Sequence, residues 1–144
     1  MRKKRKYIKK KPRTKLIDKI DDIMLEILKY ERGERCEMCG GSYNLGLFHI
    51  LPKGRYPRIR YYKQNLLIAG WWCCHYPWHF DYYIARDRIE PKIRQLRGDN
   101  YEEELTKLDI IAPPLTEMYL KMLKRAFEKE LRALERGWQS GKTN

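Results

Sequence analysis

The chain has 144 residues, 35% of them charged and 42% hydrophobic, with a formal net charge of +13. This composition excludes a wholly disordered chain, and the length supports one domain. It also excludes a spanning helix, which needs about 20 consecutive apolar residues, and the basic N-terminus lacks the apolar stretch of a secretory signal. The expectation is a cytoplasmic, reducing setting, where the four cysteines are metal ligands or free thiols rather than disulfides.

Ten of the 32 Lys and Arg residues fall within residues 1–15, which hold no acid. This stretch reads as a basic disordered arm. Such an arm displaces counterions from phosphates and gives salt-sensitive, sequence-blind affinity for nucleic acid. Taken alone, it serves equally well as a solvated tail. Leu16, Ile17, Ile20, Ile23, Met24, Ile27 and Leu28 then recur at helical spacing. They predict an amphipathic helix over 16–33, capped by Thr14 and stopped by Gly33. A core helix is the ordinary reading of such a stripe, and a homodimer interface is the sharper one.

Residues 34–100 differ in character. Cys36-Glu37-Met38-Cys39-Gly40-Gly41 predicts a tight knuckle. Leu45, Leu47, His49 and Leu51 share one side of a short strand, and Leu66 to Ala69 supply a second. Between them, Pro52, Gly54 and Pro57 enforce a loop in which Lys53, Arg55, Arg58, Arg60 and Lys63 are interspersed with Tyr56, Tyr61 and Tyr62. A helix is expected from His75 or Pro77 to about Leu96, with Phe80 in ordinary helix packing and Gly98 as the stop. In the C-terminal helical segment, 101–144, a short acidic helix covers Tyr101 to Leu108, and Pro113-Pro114 halts it. A last amphipathic helix carries Leu115, Met118, Tyr119, Met122, Leu123, Ala126, Phe127, Leu131 and Leu134 on one stripe and ends at Gly137. The fold class is α+β: a short β-hairpin and a helix, flanked by N- and C-terminal amphipathic helices.

All three histidines of the chain lie in one window with an Asn between them: His49, fifteen residues, Asn65, nine, His75, three, His79. Imidazoles four apart on a helix share a face and can chelate one divalent ion. A neutral His on a strand opposite such an ion has the means to take a proton from water. The amide of Asn65 is expected to hydrogen-bond His49 and fix which ring nitrogen is free. Lys53, Arg55, Arg58 and Arg60 are candidates for phosphate contact, with tyrosines against sugars or bases. Nothing has the pattern of a major-groove reading helix, so strong base specificity is not expected.

The order His49, Asn65, His75, His79 resembles the HNH, or ββα-metal, endonucleases. Cys36-x2-Cys39 is similar to their zinc-stabilised branch. The run Phe48-His49-Ile50-Leu51-Pro52-Lys53-Gly54, continued through Arg60 to Asn65 and Cys74-His75, looks most like the phage NinG/Rap-type recombination endonucleases. The resemblance covers residues 34–97. It implies a ββα-metal core, with His49 as general base, Asn65 orienting it, and His75 and His79 holding Mg²⁺, Mn²⁺ or Zn²⁺. It also implies DNA as partner, duplex or branched, a phage or other mobile-element source, and a homodimer.

Two positions depart from that pattern. Phe48 stands where many relatives carry another metal ligand, which leaves water or phosphate to complete the shell. The second Cys-x2-Cys is replaced by Gly70-Trp71-Trp72-Cys73-Cys74, so Gly70 takes a ligand's place. Cys36 and Cys39 are the stronger candidates for a structural Zn²⁺, and Cys73 and Cys74, being adjacent, the weaker. The alternative is a non-catalytic zinc-knuckle protein that binds nucleic acid through a site made of Cys36, Cys39, Cys74 and a histidine.

Overall fold

The computed structural model describes residues 8–142. Its centre is an antiparallel pair of strands, β1 (Leu45–His49) and β2 (Leu66–Gly70), with Leu45 opposite Gly70 and His49 opposite Leu66. All five residues of β2 are buried, so both faces of this small sheet are covered. Side chains alternate across a strand. Phe48, Leu67 and Ala69 therefore point one way, into a core with Ile89, Ile93, Tyr101 and Leu105. Leu45, Leu47, Leu66 and Ile68 point the other way, onto Met24 and Leu28 of α1 (Pro12–Arg32).

The helix α1 starts before Thr14, so Thr14 is not its cap. Pro12 opens the first turn, where its missing N–H costs nothing, and Lys11 precedes it. Four residues of the expected arm, Pro12 to Lys15, are thus helical, and residues 1–7 lie outside the described residues. At the other end Gly33 adopts φ 92° and donates its N–H to the Lys29 carbonyl, as expected of a glycine stop.

The last helix, α6 (Glu117–Lys142), lies along α1 in the same direction. Arg13 donates to the Leu115 carbonyl at 2.8 Å, Ile20 packs with Leu120, and Met24 and Leu28 pack with Phe127. Further along, Tyr30 meets Trp138 edge-on at 6.4 Å. The α1 stripe is therefore a core stripe. On α6 the inward face is turned from the one expected. Leu120 is completely buried, while Met118 and Met122 are exposed. Gly137 does not end the helix, which runs through it.

The single helix expected between His75 and Leu96 is broken into pieces. A π-helical turn (Trp71–His75) leads into α2 (Tyr76–Phe80), and Asp81 then leaves helical geometry. Its carboxylate accepts the Ile84 N–H at 3.1 Å and so caps the next short helix, α3 (Tyr82–Ile84). A second π-helical turn (Ala85–Ile89) precedes α4 (Glu90–Arg97), where Pro91 cannot donate to the preceding turn. The acidic helix α5 runs Tyr101–Ile111, one turn past Leu108, and ends before Pro113-Pro114 as expected. Among the described residues, no helix is long and apolar enough to cross a membrane.

Leu120→Ala should cost about 2–5 kcal/mol in urea unfolding, because it opens a cavity between two helices. Met118→Ala, on the exposed face of the same helix, should change stability by less than about 0.5 kcal/mol.

Candidate functional site

The knuckle is closed by backbone bonds. Cys36 donates to the Gly41 carbonyl at 2.7 Å and Gly40, at φ 80°, donates to the Cys36 carbonyl at 2.8 Å. Glu37 docks the knuckle on the free edge of β2. Its N–H donates to the Ile68 carbonyl, and its carboxylate accepts the Ile68 N–H at 2.6 Å and the Arg32 guanidinium at 3.2 Å. This places Cys36 and Cys39 beside the turn that follows β2.

Cys73 and Cys74 come from that turn, and the four sulfurs lie within 4.8 Å of one another. Four sulfurs around one Zn²⁺ at about 2.3 Å stand about 3.8 Å apart, so only a slight contraction separates this cluster from a tetrahedral site. Adjacent residues on a helix point about 100° apart, which makes neighbouring ligands improbable on geometry alone. Here Cys74 points into the core while Cys73 folds back over Gly70. A Cβ built on Gly70 would stand 2.5 Å from the Cys73 sulfur and 3.1 Å from the Tyr43 carbonyl. Gly70 is therefore not a vacant ligand position; it is the space the Cys73 thiol occupies.

Electrostatics agree with a cation. The Cys36 thiol is held well below its ordinary pKa by hydrogen bonds from Cys74 and from backbone N–H groups. Cys74 is pushed up by the same contact and by burial, and Cys73 is pushed up first by burial and then by its neighbouring thiols. One thiolate forms readily and then opposes the others, a conflict that a divalent ion removes. The four cysteines can hold one metal ion such as zinc, and among the described residues no other group of three or more His, Cys, Asp or Glu lies close enough to do so.

His75 follows directly. Its ring packs on Phe48 at 5.5 Å, on Trp71 at 4.8 Å and on His79 at 5.2 Å. It walls a cleft of about 250 Å³ beside β1. Burial, the neighbouring His79 and Lys53 lower its pKa to about 4, so the imidazole is neutral and has a lone pair for a ligand. The structure thus brings the rings of His75 and His79 together on one side of the turn and α2. Phe48 is fully buried against His75 and Trp78 and offers no donor.

His49 ends β1. Its Nε2 lies 3.2 Å from the Arg60 carbonyl. A carbonyl only accepts, so Nε2 carries the proton and Nδ1 of the neutral ring is the free acceptor. Burial lowers the His49 pKa to about 4, helped by Arg60 and Lys53 and opposed by Asp21. The Lys53 ammonium acts on both His49 and His75, which places the two rings within electrostatic reach of one cation.

Asn65 does not hydrogen-bond His49. Fully buried, it accepts the Leu51 N–H at 2.8 Å and donates to the Leu51 carbonyl at 3.2 Å. It orients His49 only indirectly, by closing the loop that brings the Arg60 carbonyl over the ring. Arg60 departs from expectation as well. Its guanidinium makes a two-pronged bond with Asp21 of α1, at 2.7 and 3.3 Å, and is not free for phosphate. Tyr61 joins the same carboxylate at 2.9 Å, so its ring is part of the loop's anchor. Lys53 and Arg55 are exposed on the loop surface, whereas the Arg58 guanidinium donates to the Ala112 carbonyl at 3.3 Å.

An exposed aromatic series on the π-helical turn and α2 is not among the features expected from the sequence. Trp72, Tyr76 and Phe80 are exposed and stacked in series, with ring centres 5.8 and 4.7 Å apart. Phe80 is thus not in ordinary helix packing. The i, i+4, i+8 spacing carried the signal. No protein-family model, curated protein or solved structure matches the chain.

Purified protein should hold one zinc ion per chain, and Cys39→Ser, like chelation, should lower both metal content and melting temperature. A pH effect should be separable at His49. Above about pH 6.5 the ring is neutral in both states. Below it, the unfolded chain takes up a proton that folded His49 refuses until about pH 4. Stability should therefore fall as pH drops through this window, by up to about 3 kcal/mol, and His49→Gln should flatten the slope in pH-dependent urea titrations.

Proposed function

We propose that the chain is a metal-dependent DNA endonuclease in which His49 activates the attacking water. The observation that carries this reading is the fixed, neutral His49: Nε2–H is engaged by the Arg60 carbonyl, leaving Nδ1 free as a base. In the step, a water oxygen bonds to phosphorus, its proton passes to His49 Nδ1, and the ester P–O bond breaks. A divalent ion on His75 and His79 would neutralise charge on the phosphoryl and leaving oxygens. Lys53 and Arg55 would hold neighbouring phosphates, and the exposed Trp72–Tyr76–Phe80 stack beside His79 would receive splayed bases. The cysteine site would serve as the structural clamp that fixes the histidine-bearing turn against the hairpin.

A second reading is a non-catalytic zinc-stabilised protein that binds nucleic acid. The fully buried Phe48, which leaves the histidine pair without a third protein ligand among the described residues, favours it.

The deciding assay is cleavage of supercoiled plasmid and of a four-way junction, with Mg²⁺, Mn²⁺ or EDTA. On the nuclease reading, wild type cuts with metal. His49→Ala then loses at least about 100-fold in rate while gel-shift binding persists, since a general base contributes roughly 10²–10⁴-fold. If wild type binds both DNAs and cuts neither, the second reading stands.

A further inference from the structure

Away from the histidines, α6 and the 61–64 segment enclose an open groove of about 590 Å³. Its apolar wall includes Tyr62, Tyr119 and Phe127, and its cationic wall includes Arg32, Arg58 and Arg97, with no acidic residue in the lining. Two of these cations are fixed side by side. Arg32 and Arg97 both donate to the Leu66 carbonyl, at 2.8 and 2.9 Å. Arg32 also donates to the Lys63 carbonyl and Arg97 to the Gln64 carbonyl.

The charge is only partly answered. Lys63 pairs with Glu31 and Glu130, and Arg32 with Glu37, while the guanidiniums of Arg97 and Arg58 make their hydrogen bonds to backbone carbonyls. Burial first, and then the adjacent Arg32, push Arg97 below its ordinary pKa, with Glu37 opposing them. Neither guanidinium uses all five of its N–H groups in these bonds, so each retains donors for a ligand. Ordering costs for the two side chains are already met by the carbonyls they grip.

A ligand that suits both walls carries an anion at one end and a flat apolar surface at the other. A nucleotide does so: its phosphate matches a guanidinium pair, and its base has a face for aromatic rings. The volume lies within the range of small-ligand sites. We propose that this groove binds one unpaired nucleotide of a nucleic-acid strand, with the phosphate at the Arg32–Arg97 pair and the base against Tyr62, Tyr119 and Phe127. The inference shares with the proposed function only the nucleic-acid partner, and it requires no cleavage.

The test uses the full chain without added divalent ions and a fluorescently labelled fifteen-residue oligothymidylate, read by anisotropy. Tyr119→Ala should weaken binding about ten-fold, Tyr119→Phe should restore it, and a blunt duplex should be bound equally by all three. Arg97→Gln should lower the salt slope by about one contact, and Arg97→Lys should retain it. An oligonucleotide carrying 5-iodouracil should crosslink to Tyr62 or Tyr119 under long-wavelength light. Unchanged oligonucleotide affinity across these variants, or crosslinks mapping elsewhere, would overturn the proposal. So would an acidic apolar peptide that binds the groove while oligothymidylate does not compete, or a change of oligomeric state in Tyr119→Ala in place of an affinity change. Plasmid cutting, read separately with His49→Ala, reports on the nuclease alone; loss of cutting with the Tyr119 crosslink intact would leave the groove assignment standing.

Discussion

The hairpin is closed by a side chain rather than by a short turn. Asn65 is the one polar residue in the core among the described residues, and its amide grips both backbone groups of Leu51. That double bond satisfies the amide's donor and acceptor where no water reaches, and it pinches together the ends of a loop fourteen residues apart. Everything between Leu51 and Asn65 is then held as a lobe. The lobe is pinned a second time where Arg60 and Tyr61 meet Asp21 on α1. The carbonyl over His49 sits between these two anchors, so the tautomer of the ring follows from contacts made well away from it.

The cysteine cluster acts on the other end of the sheet. It ties the knuckle, which rides on β2 through Glu37, to the turn carrying His75. A sheet of two five-residue strands is too small to be stable alone. It persists because α1 covers one face, α4 and α5 cover the other, and the knuckle occupies one edge. The crowded thiols make that edge sensitive to the charge of what they bind.

Periodicity made the two strands, the first helix and the last helix legible, since each has one buried face or two. Less legible were features set by single atoms. Thr14 looked like a cap, but Pro12 starts the helix earlier because its ring already has the right φ. Asp81 divides a stretch that reads as one helix, through a carboxylate cap, and Pro91, lacking a donor, follows a π-helical turn without breaking the run. Adjacent cysteines are poor co-ligands by spacing alone; the missing Cβ of Gly70 leaves room for the Cys73 sulfur. The histidine order placed His75 and His79 together, yet the sequence could not reveal that Asn65 holds Leu51 or that Arg60 is bound to Asp21, because both depend on where the loop returns. On α6, an apolar residue count could not distinguish Met118 and Met122 from Leu120, since the stripe is wider than the face α1 covers.

The parallel packing of α1 and α6 gives the molecule a direction. Most neighbouring helices run antiparallel and cancel each other's dipoles, whereas here two long helices present their N-termini at the same end, each equivalent to about half a positive charge. Lys9, Lys11, Arg13 and Lys15 gather at the start of α1, at that same pole, whereas the far end mixes Glu130 and Glu135 with Arg132 and Arg136. The helix pair is therefore a polarised rod. In an external electric field such a rod experiences a torque that turns its lysine-bearing end toward negative potential.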